Sequence, residues 1–329
     1  MMNNLILKFP SQLKEAVDIG ERAIIRPHHF QIHNVIMCGM GGSGMGGKYV
    51  SDLIAAECKC PFIINHTYTL PAYTDKHSVV IISSYSGNTE ETIECLEQAK
   101  QSGAKIICIT SGGKILQTAK SLDYDFIELP TGWPSPRACL GFSLTAQIFA
   151  LQYLGLISRN IIDHLKIAAD LLLFEQEDIM GKAEKIAQLI HNKIPVIYSS
   201  DRTESAALRW RQQINENSKM LSWHHTIPEM NHNELVGWKS KHEDVAVIFL
   251  RYKDDLKRNQ VRMDLTKQII SQRASTVIEI HAKGQSLAEK LMYITHLGDW
   301  VSWFLAQTNH QDASEIEVID FLKSALAKE

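Results

Sequence analysis

Ser78-Val79-Val80-Ile81-Ile82-Ser83-Ser84-Tyr85-Ser86-Gly87-Asn88-Thr89-Glu90-Glu91-Thr92 passes in one stretch from a continuous apolar run, through a hydroxyl-rich turn, to a helix start. The run from Ser78 to Ile82 is short and, after Ser78, β-branched and uniformly apolar, which predicts a strand covered on both faces. Thr89 to Ser102 follows as a helix that Gly103 ends. Sheets built from such strand-then-helix steps bind ligands outside the carboxyl ends of their strands. At that end the hydroxyls of Ser84, Ser86 and Thr89, with the free amides of the first helical turn, form an anion cradle at the positive end of the helix dipole. Thr89 and Thr92 would suffice as plain helix caps, but this density of hydroxyls around Gly87 exceeds what capping needs.

The pattern extends in both directions. Upstream, Leu13 to Ile25 has helical spacing, and Val35-Ile36-Met37-Cys38 is a buried run that stops at Gly39-Met40-Gly41-Gly42-Ser43-Gly44-Met45-Gly46-Gly47. Met45 to Ala56 reads as the next helix and Phe62-Ile63-Ile64 as a strand. Downstream come the strand Lys105 to Thr110, a short helix from Ile115 to Lys120 and the strand Phe126 to Leu129. Gly132-Trp133-Pro134-Ser135-Pro136-Arg137 reads as a loop because of its prolines. Gly141 to about His191 is mostly helical and holds the connector. Pro195-Val196-Ile197-Tyr198-Ser199-Ser200 restarts the strand-to-serine pattern. A helix from Glu204 to Asn217 follows, then strands at Val245 to Leu250 and Thr276 to Ile280. The order predicts an α/β chain of two three-layer αβα sandwich domains with parallel sheets, a tandem repeat of a flavodoxin-like layout, divided as 1–155 and 156–329.

Composition bounds the partners. The 329 residues are 45% hydrophobic and 22% charged with a formal charge of −3, and no long Lys/Arg block occurs, so neither nucleic acid nor a membrane is expected as a partner. Met1 to Pro10 is too short and mixed for a secretory signal, and no run of about 18 uncharged apolar residues appears, so the expectation is a soluble chain. Six scattered cysteines without zinc-ligand spacing imply reduced thiols in the cytoplasm. Any phosphate must then be gripped locally.

The glycine turn permits close backbone approach. Gly39, Gly41 and Gly44 trace G-x-G-x-x-G, yet Asn65-His66 stand where a dinucleotide site expects an acidic residue, and no Gly-Lys-Ser/Thr follows. Two such turns, one after each of two parallel strands, fit a phosphorylated sugar better than a dinucleotide, with Gly42, Ser43, Ser84, Ser86 and Thr89 as the phosphate-binding residues.

Together the glycine turn, Ser84-Tyr85-Ser86-Gly87-Asn88-Thr89-Glu90-Glu91-Thr92 and Pro134-Ser135-Pro136-Arg137-Ala138 resemble the sugar-isomerase (SIS) domain family. Gln213-Ile214-Asn215-Glu216-Asn217 and Pro228-Glu229-Met230-Asn231-His232-Asn233-Glu234 extend the likeness over essentially the whole chain, toward the bifunctional phosphoglucose/phosphomannose isomerases. The resemblance implies two SIS-type domains and an intramolecular oxidoreductase that interconverts glucose 6-phosphate, and mannose 6-phosphate, with fructose 6-phosphate. Such a reaction needs a carboxylate base, an acid/base group for ring opening and donors for a developing enediolate. The resemblance assigns Glu216 as the base, and it lies near the end of an amphipathic helix. It assigns ring opening to His232, with His224 and His225 as close competitors. Arg137, stiffened by two prolines, suits the enediolate or a water, and Lys323 is implied as the cation near the ring oxygen. Where a threonine admitting both epimers is expected, the chain has Asp312-Ala313-Ser314-Glu315, and Ser314 is the nearest hydroxyl.

No metal or organic cofactor is implied. The apolar C-terminal helices and the split of motifs between halves suggest a homodimer. The alternative from another class is a non-catalytic sugar-phosphate-binding regulator, which would need the phosphate turns but not Glu216, His232, Arg137 and Lys323 together. Trp300 and Trp303, with Leu297 and Leu305, form an apolar helical stripe read as core or interface, and His296 on the same helix reads as a satisfied buried histidine.

Overall fold

A computed structural model of the chain describes residues 1–326 and Lys328. The chain falls into two compact units, one of Lys8–Leu171 with Ser286–Glu289, the other of Met1–Leu7, Leu172–Gln285 and Lys290–Glu329. After α1 (Met2–Leu7), the first unit opens with α2 (Phe9–Arg22), β1 (Asn34–Cys38), α3 (Gly41–Ile54), β2 (Phe62–Asn65) and β3 (Ser78–Ser83). It continues through α4 (Glu90–Ser102), β4 (Lys105–Thr110), α5 (Gly113–Ser121), β5 (Asp125–Glu128) and α6 (Leu140–Tyr153). The sheet is fully parallel in the order β2-β1-β3-β4-β5.

Burial follows from the two-residue repeat of a strand. Ile36, Cys38, Val80, Ile82, Ile106 and Cys108 face α4 and α5, packing on Leu96, Ala99, Ile115 and Ala119. On the opposite face α3 approaches so closely that a Cβ at Gly47 would lie 2.0 Å from Met37 Cε, and α6 packs against both α2 and α3. Three layers result, as the continuous apolar strands require.

The helix α7 (Asn160–Phe174) leads to α8 (Gln176–Ile190). The second unit then has β6 (Ile194–Ser200), α9 (Glu204–Ser218), β7 (Trp223–Ile227), β8 (His242–Arg251), α10 (Lys257–Ile270), β9 (Ala274–His281), α11 (Leu287–Thr308) and α12 (Glu317–Leu326). Its parallel sheet runs β7-β6-β8-β9, the layout of the first sheet without a fifth strand. Val196, Tyr198, Val247 and Phe249 pack with Met263 and Ile270 of α10, while α9 covers β6 and β7. No helix among the described residues is long and apolar enough to cross a membrane.

Three elements differ from the sequence expectation. The helix after the glycine turn begins at Gly41, not Met45: Gly41 enters it with φ +49°, and Gly42 follows pressed against Pro136. Pro136–Cys139 forms one 3-10 turn, which tolerates Pro136 at its start. Trp223-His224-His225-Thr226-Ile227 is an edge strand; its two histidines disguise the pattern, and only Ile227 among the five is fully buried.

Trp300 is buried, in keeping with the apolar stripe. His296 is buried too, with Nε2 3.1 Å from Gln176 Oε1. Burial, with the nearby Arg209 guanidinium, holds its pKa down to about 3 from 6.5. The unfolded chain therefore binds a proton below pH 6.5 that the folded chain refuses. Stability is complete above pH 6.5 and falls as the pH drops toward 3, by about 1.4 kcal/mol per pH unit. Denaturant titration at pH 7 and pH 5 should show a loss of about 2 kcal/mol that is missing in His296→Gln. An equal loss in both proteins would remove His296 from the account.

Candidate active site

In a sheet of order 2-1-3-4-5 the strand order reverses between β1 and β3, and the crevice at that point is where such folds bind ligands. The glycine turn leaves β1 and the serine turn leaves β3, so both phosphate candidates sit at the crevice. They touch, since a Cβ at Gly39 would lie 2.8 Å from Ser83 O.

The serine turn is wound around its own hydroxyls. Ser84 Oγ and Thr89 Oγ1 are 2.8 Å apart, Gly87 N donates to Ser84 Oγ at 3.2 Å, and Asn88 N donates to Ser86 Oγ at 3.2 Å. Thr89 occupies the N-cap of α4, yet no side chain caps that helix, and Thr92 Oγ1 is buried without a hydrogen-bond partner. Neither threonine caps the helix, and the first-turn amides of α4 remain open to an anion. Glu90 and Glu91 in the first turn favour the helix dipole but repel an anion, so an anion at this turn would depend on amides and hydroxyls rather than net charge.

Gly42 explains the glycine turn. A Cβ there would lie 2.7 Å from Pro136 O and 3.2 Å from Arg137 Cα, so only glycine lets α3 press against the arginine turn. Arg137 is 8% exposed, which sets it apart from a solvated loop arginine. Gly42 and Arg137 are thereby brought together, and Ser143 links Ser43 to Ser83, the residue before Ser84. The position where a dinucleotide site has its acid is used differently: His66 Nδ1 is 2.8 Å from Gly39 O, and Gly39 N donates to Asn65 O at 3.3 Å.

A polar brace lies behind these turns, and sequence reasoning missed it. Ser143 Oγ and Gln147 Nε2 of α6 both donate to Ser43 O at 3.3 Å, and Ser143 Oγ lies 3.4 Å from Ser83 Oγ. One buried serine thus ties the backs of both turns. Its only signal is Ser143 and Gln147, four apart in a mostly apolar helix that also carries Thr145 and Gln152.

In the second unit Glu216 lies in the last turn of α9, half-buried. Lys219 Nζ donates to Glu216 O at 2.7 Å and also to Asp312 O at 2.9 Å and Glu315 O at 2.8 Å. The segment that carries Ser314 is held in this way against the end of the Glu216 helix. Asn217 Nδ2 donates to Ser302 Oγ at 2.9 Å and Ser218 Oγ to Ser302 O at 2.7 Å, so α9 is anchored on α11 just past the glutamate.

His232 ends a 3-10 turn, Glu229–His232, and is exposed. Two residues on, Glu234 Oε2 is 2.8 Å from His225 Nδ1, Trp223 Nε1 donates to Oε1 at 3.3 Å, and the Tyr198 hydroxyl also donates to Oε1. This carboxylate locks the His232 loop to β6 and β7. His225 is therefore engaged with Glu234, and His224 lies 3.9 Å from Glu204 Oε1. Of the three candidate histidines, His232 alone is unengaged: among the described residues its side chain forms no hydrogen bond or ion pair, and the same holds for Lys323 on the exposed α12.

The SIS domain family matches residues 30–155, and the bacterial phospho-glucose isomerase C-terminal SIS domain family matches 179–326. The C-terminal domain of glucosamine-fructose-6-phosphate aminotransferase from Francisella tularensis superposes with a TM-score of 0.75 over 95% of this chain and 98% of that one, at 13% identity, a likeness of fold alone. A bifunctional phosphoglucose/phosphomannose isomerase of Aquifex aeolicus is 37% identical, over 89% of this chain and 90% of the relative. One of Caldicellulosiruptor bescii is 37% identical over 98% of both chains. With likeness at that level over nearly its whole length, and with both SIS matches falling on the two parallel sheets, the chain belongs to the bifunctional phosphoglucose/phosphomannose isomerase family.

Proposed function

We propose that the protein interconverts glucose 6-phosphate, and mannose 6-phosphate, with fructose 6-phosphate by proton transfer through an enediolate. The observation that carries this reading is the uncapped, hydroxyl-lined start of α4 at the sheet's switch point, in a chain whose relatives are named as isomerases of these sugars.

In this reading the sugar phosphate binds the turn amides with Gly42, Ser43, Ser84, Ser86 and Thr89, within 1–155. His232 moves a proton between the ring oxygen and the anomeric hydroxyl, with Lys323 near that oxygen. Glu216 then takes the proton from one of carbons 1 and 2 and returns it to the other, while Arg137 stabilises the enediolate charge. Ser314 contributes to the choice of epimer. Glu216, His232, Ser314 and Lys323 all fall within 156–329. Among the described residues no cysteine is in a disulfide, which suits a reducing cytoplasm.

The test is a coupled assay from fructose 6-phosphate with EDTA present, following glucose 6-phosphate and mannose 6-phosphate separately. Both products are expected, and a folded protein that yields neither would refute the reading. A homodimer is the proposed assembly, because Phe321, Val318 and Leu322 of α12 are exposed. Sedimentation at micromolar concentration should give the dimer mass, and a fully active monomer would contradict it.

A further inference from the structure

Lys219 follows the last residue of α9 with a left-handed backbone, φ 55° and ψ 36°. Glycine is the usual residue at such a helix end, and a lysine there accepts unfavourable backbone geometry. Its side chain offers the reason. An ammonium has three donors, and Nζ places them on three main-chain carbonyls, those of Glu216, Asp312 and Glu315, at 2.7, 2.9 and 2.8 Å. The Glu315 carboxylate is farther off, at 3.8 Å, so this is a backbone staple first and an ion pair second. The side chain is 24% exposed, so the staple is largely shielded from water.

The residues it joins are distant in sequence. One end is the turn of α9 that carries Glu216. The other is the 312–315 segment, where Ser314 N donates to Asp312 Oδ1 at 2.8 Å and Ala313 is buried. Glu315 also receives the Glu317 amide at the start of α12, the helix of Lys323. One ammonium therefore fixes the base-bearing helix end relative to the Ser314 segment and to the root of α12.

We infer that Lys219 is a positioning residue that sets the spacing between Glu216 and the Ser314 segment, and through that spacing tunes the preference between the two aldose epimers. The inference rests on the reading in which Glu216 is the base. A planar guanidinium cannot converge on three carbonyls around one point, so arginine should not replace it.

The test compares Lys219→Met, Lys219→Arg and Lys219→Gly with the wild type, measuring kcat/KM for glucose 6-phosphate and mannose 6-phosphate, inhibition by inorganic phosphate and thermal midpoint. Lys219→Gly is the safeguard, since it accepts the left-handed backbone while lacking the ammonium. All three variants should shift the ratio of the two kcat/KM values by about tenfold, with phosphate inhibition unchanged because the phosphate turns are remote in the chain. A uniform fall with an unchanged ratio, full activity in folded Lys219→Met, or failure of all three variants to fold would each overturn the inference in favour of a purely structural role. Inactive wild type would instead refute the isomerase reading.

Discussion

Replacing Glu216 with glutamine should lower kcat for fructose 6-phosphate by about 10²–10⁴-fold, with KM and the thermal midpoint close to wild type. Glutamine keeps the shape and the hydrogen-bonding reach of the side chain but has no lone pair basic enough to take a carbon-bound proton. The surroundings argue that the fold will not notice. Asn215 Nδ2 donates to Met220 O at 2.7 Å, Asn217 to Ser302 and Ser218 to the Ser302 carbonyl, so the helix end is anchored by the residues flanking the glutamate. A half-buried side chain in such a frame contributes little to stability when replaced isosterically. The expected loss corresponds to about 3–5 kcal/mol of barrier, which separates a proton-transfer group from one that merely touches substrate. Steady-state kinetics in both directions decide it, and full rate in Glu216→Gln would show the base to lie elsewhere.

Gly87→Ala should damage binding rather than chemistry. Gly87 has φ +68°, and a Cβ would sit 1.8 Å from Gly112 O, a main-chain atom that cannot swing aside. The loop it would strike is stitched to the serine turn: Ser111 N donates to Tyr85 O at 3.0 Å, Ile115 N to Gly87 O at 3.1 Å and Lys114 N to Asn88 Oδ1 at 3.0 Å. The methyl group must pry these turns apart. The backbone conformation alone costs about 1–3 kcal/mol, and overpacking adds a similar amount. Displaced hydroxyls and amides should raise KM by about tenfold or more, through loss of charge-assisted hydrogen bonds to phosphate. Gly155→Ala is the control, because φ there is +71° with open space around the Cβ. It should lose some stability and leave KM unchanged. If Gly87→Ala binds substrate as well as Gly155→Ala does, the phosphate does not sit on this turn.

What the sequence disclosed and what it hid have different physical origins. The runs at Val35 to Cys38 and Val79 to Ile82 announce strands because two covered faces leave no polar position, and the turns after them suggest a ligand because hydroxyls and glycines exceed what capping requires. The parallel sheets follow from that alternation, and the structure has them. Residues that work by meeting partners far along the chain gave no comparable signal. Lys219 looks like a surface lysine until it meets the carbonyls of Asp312 and Glu315. Ser143 looks like a stray polar residue in an apolar helix until it reaches Ser43 and Ser83. Glu234 sits in a motif that resemblance assigned to His232, yet its own task, gripping Tyr198, Trp223 and His225, depends on strands placed by the fold. Edge strand β7 was hidden for a related reason: half-exposed residues carry no apolar run, and Trp223-His224-His225 pair with Val196, Ile197 and Tyr198 only once the sheet exists.

The measurement that bears most directly on this account is proton NMR of fructose 6-phosphate incubated with the enzyme in deuterium oxide. A proton carried through an enediolate by a carboxylate exchanges with solvent, so the predicted result is glucose 6-phosphate bearing deuterium at carbon 2, formed by the wild type and not by Glu216→Gln. Well-folded wild-type protein that forms no glucose 6-phosphate and leaves fructose 6-phosphate unlabelled would contradict it.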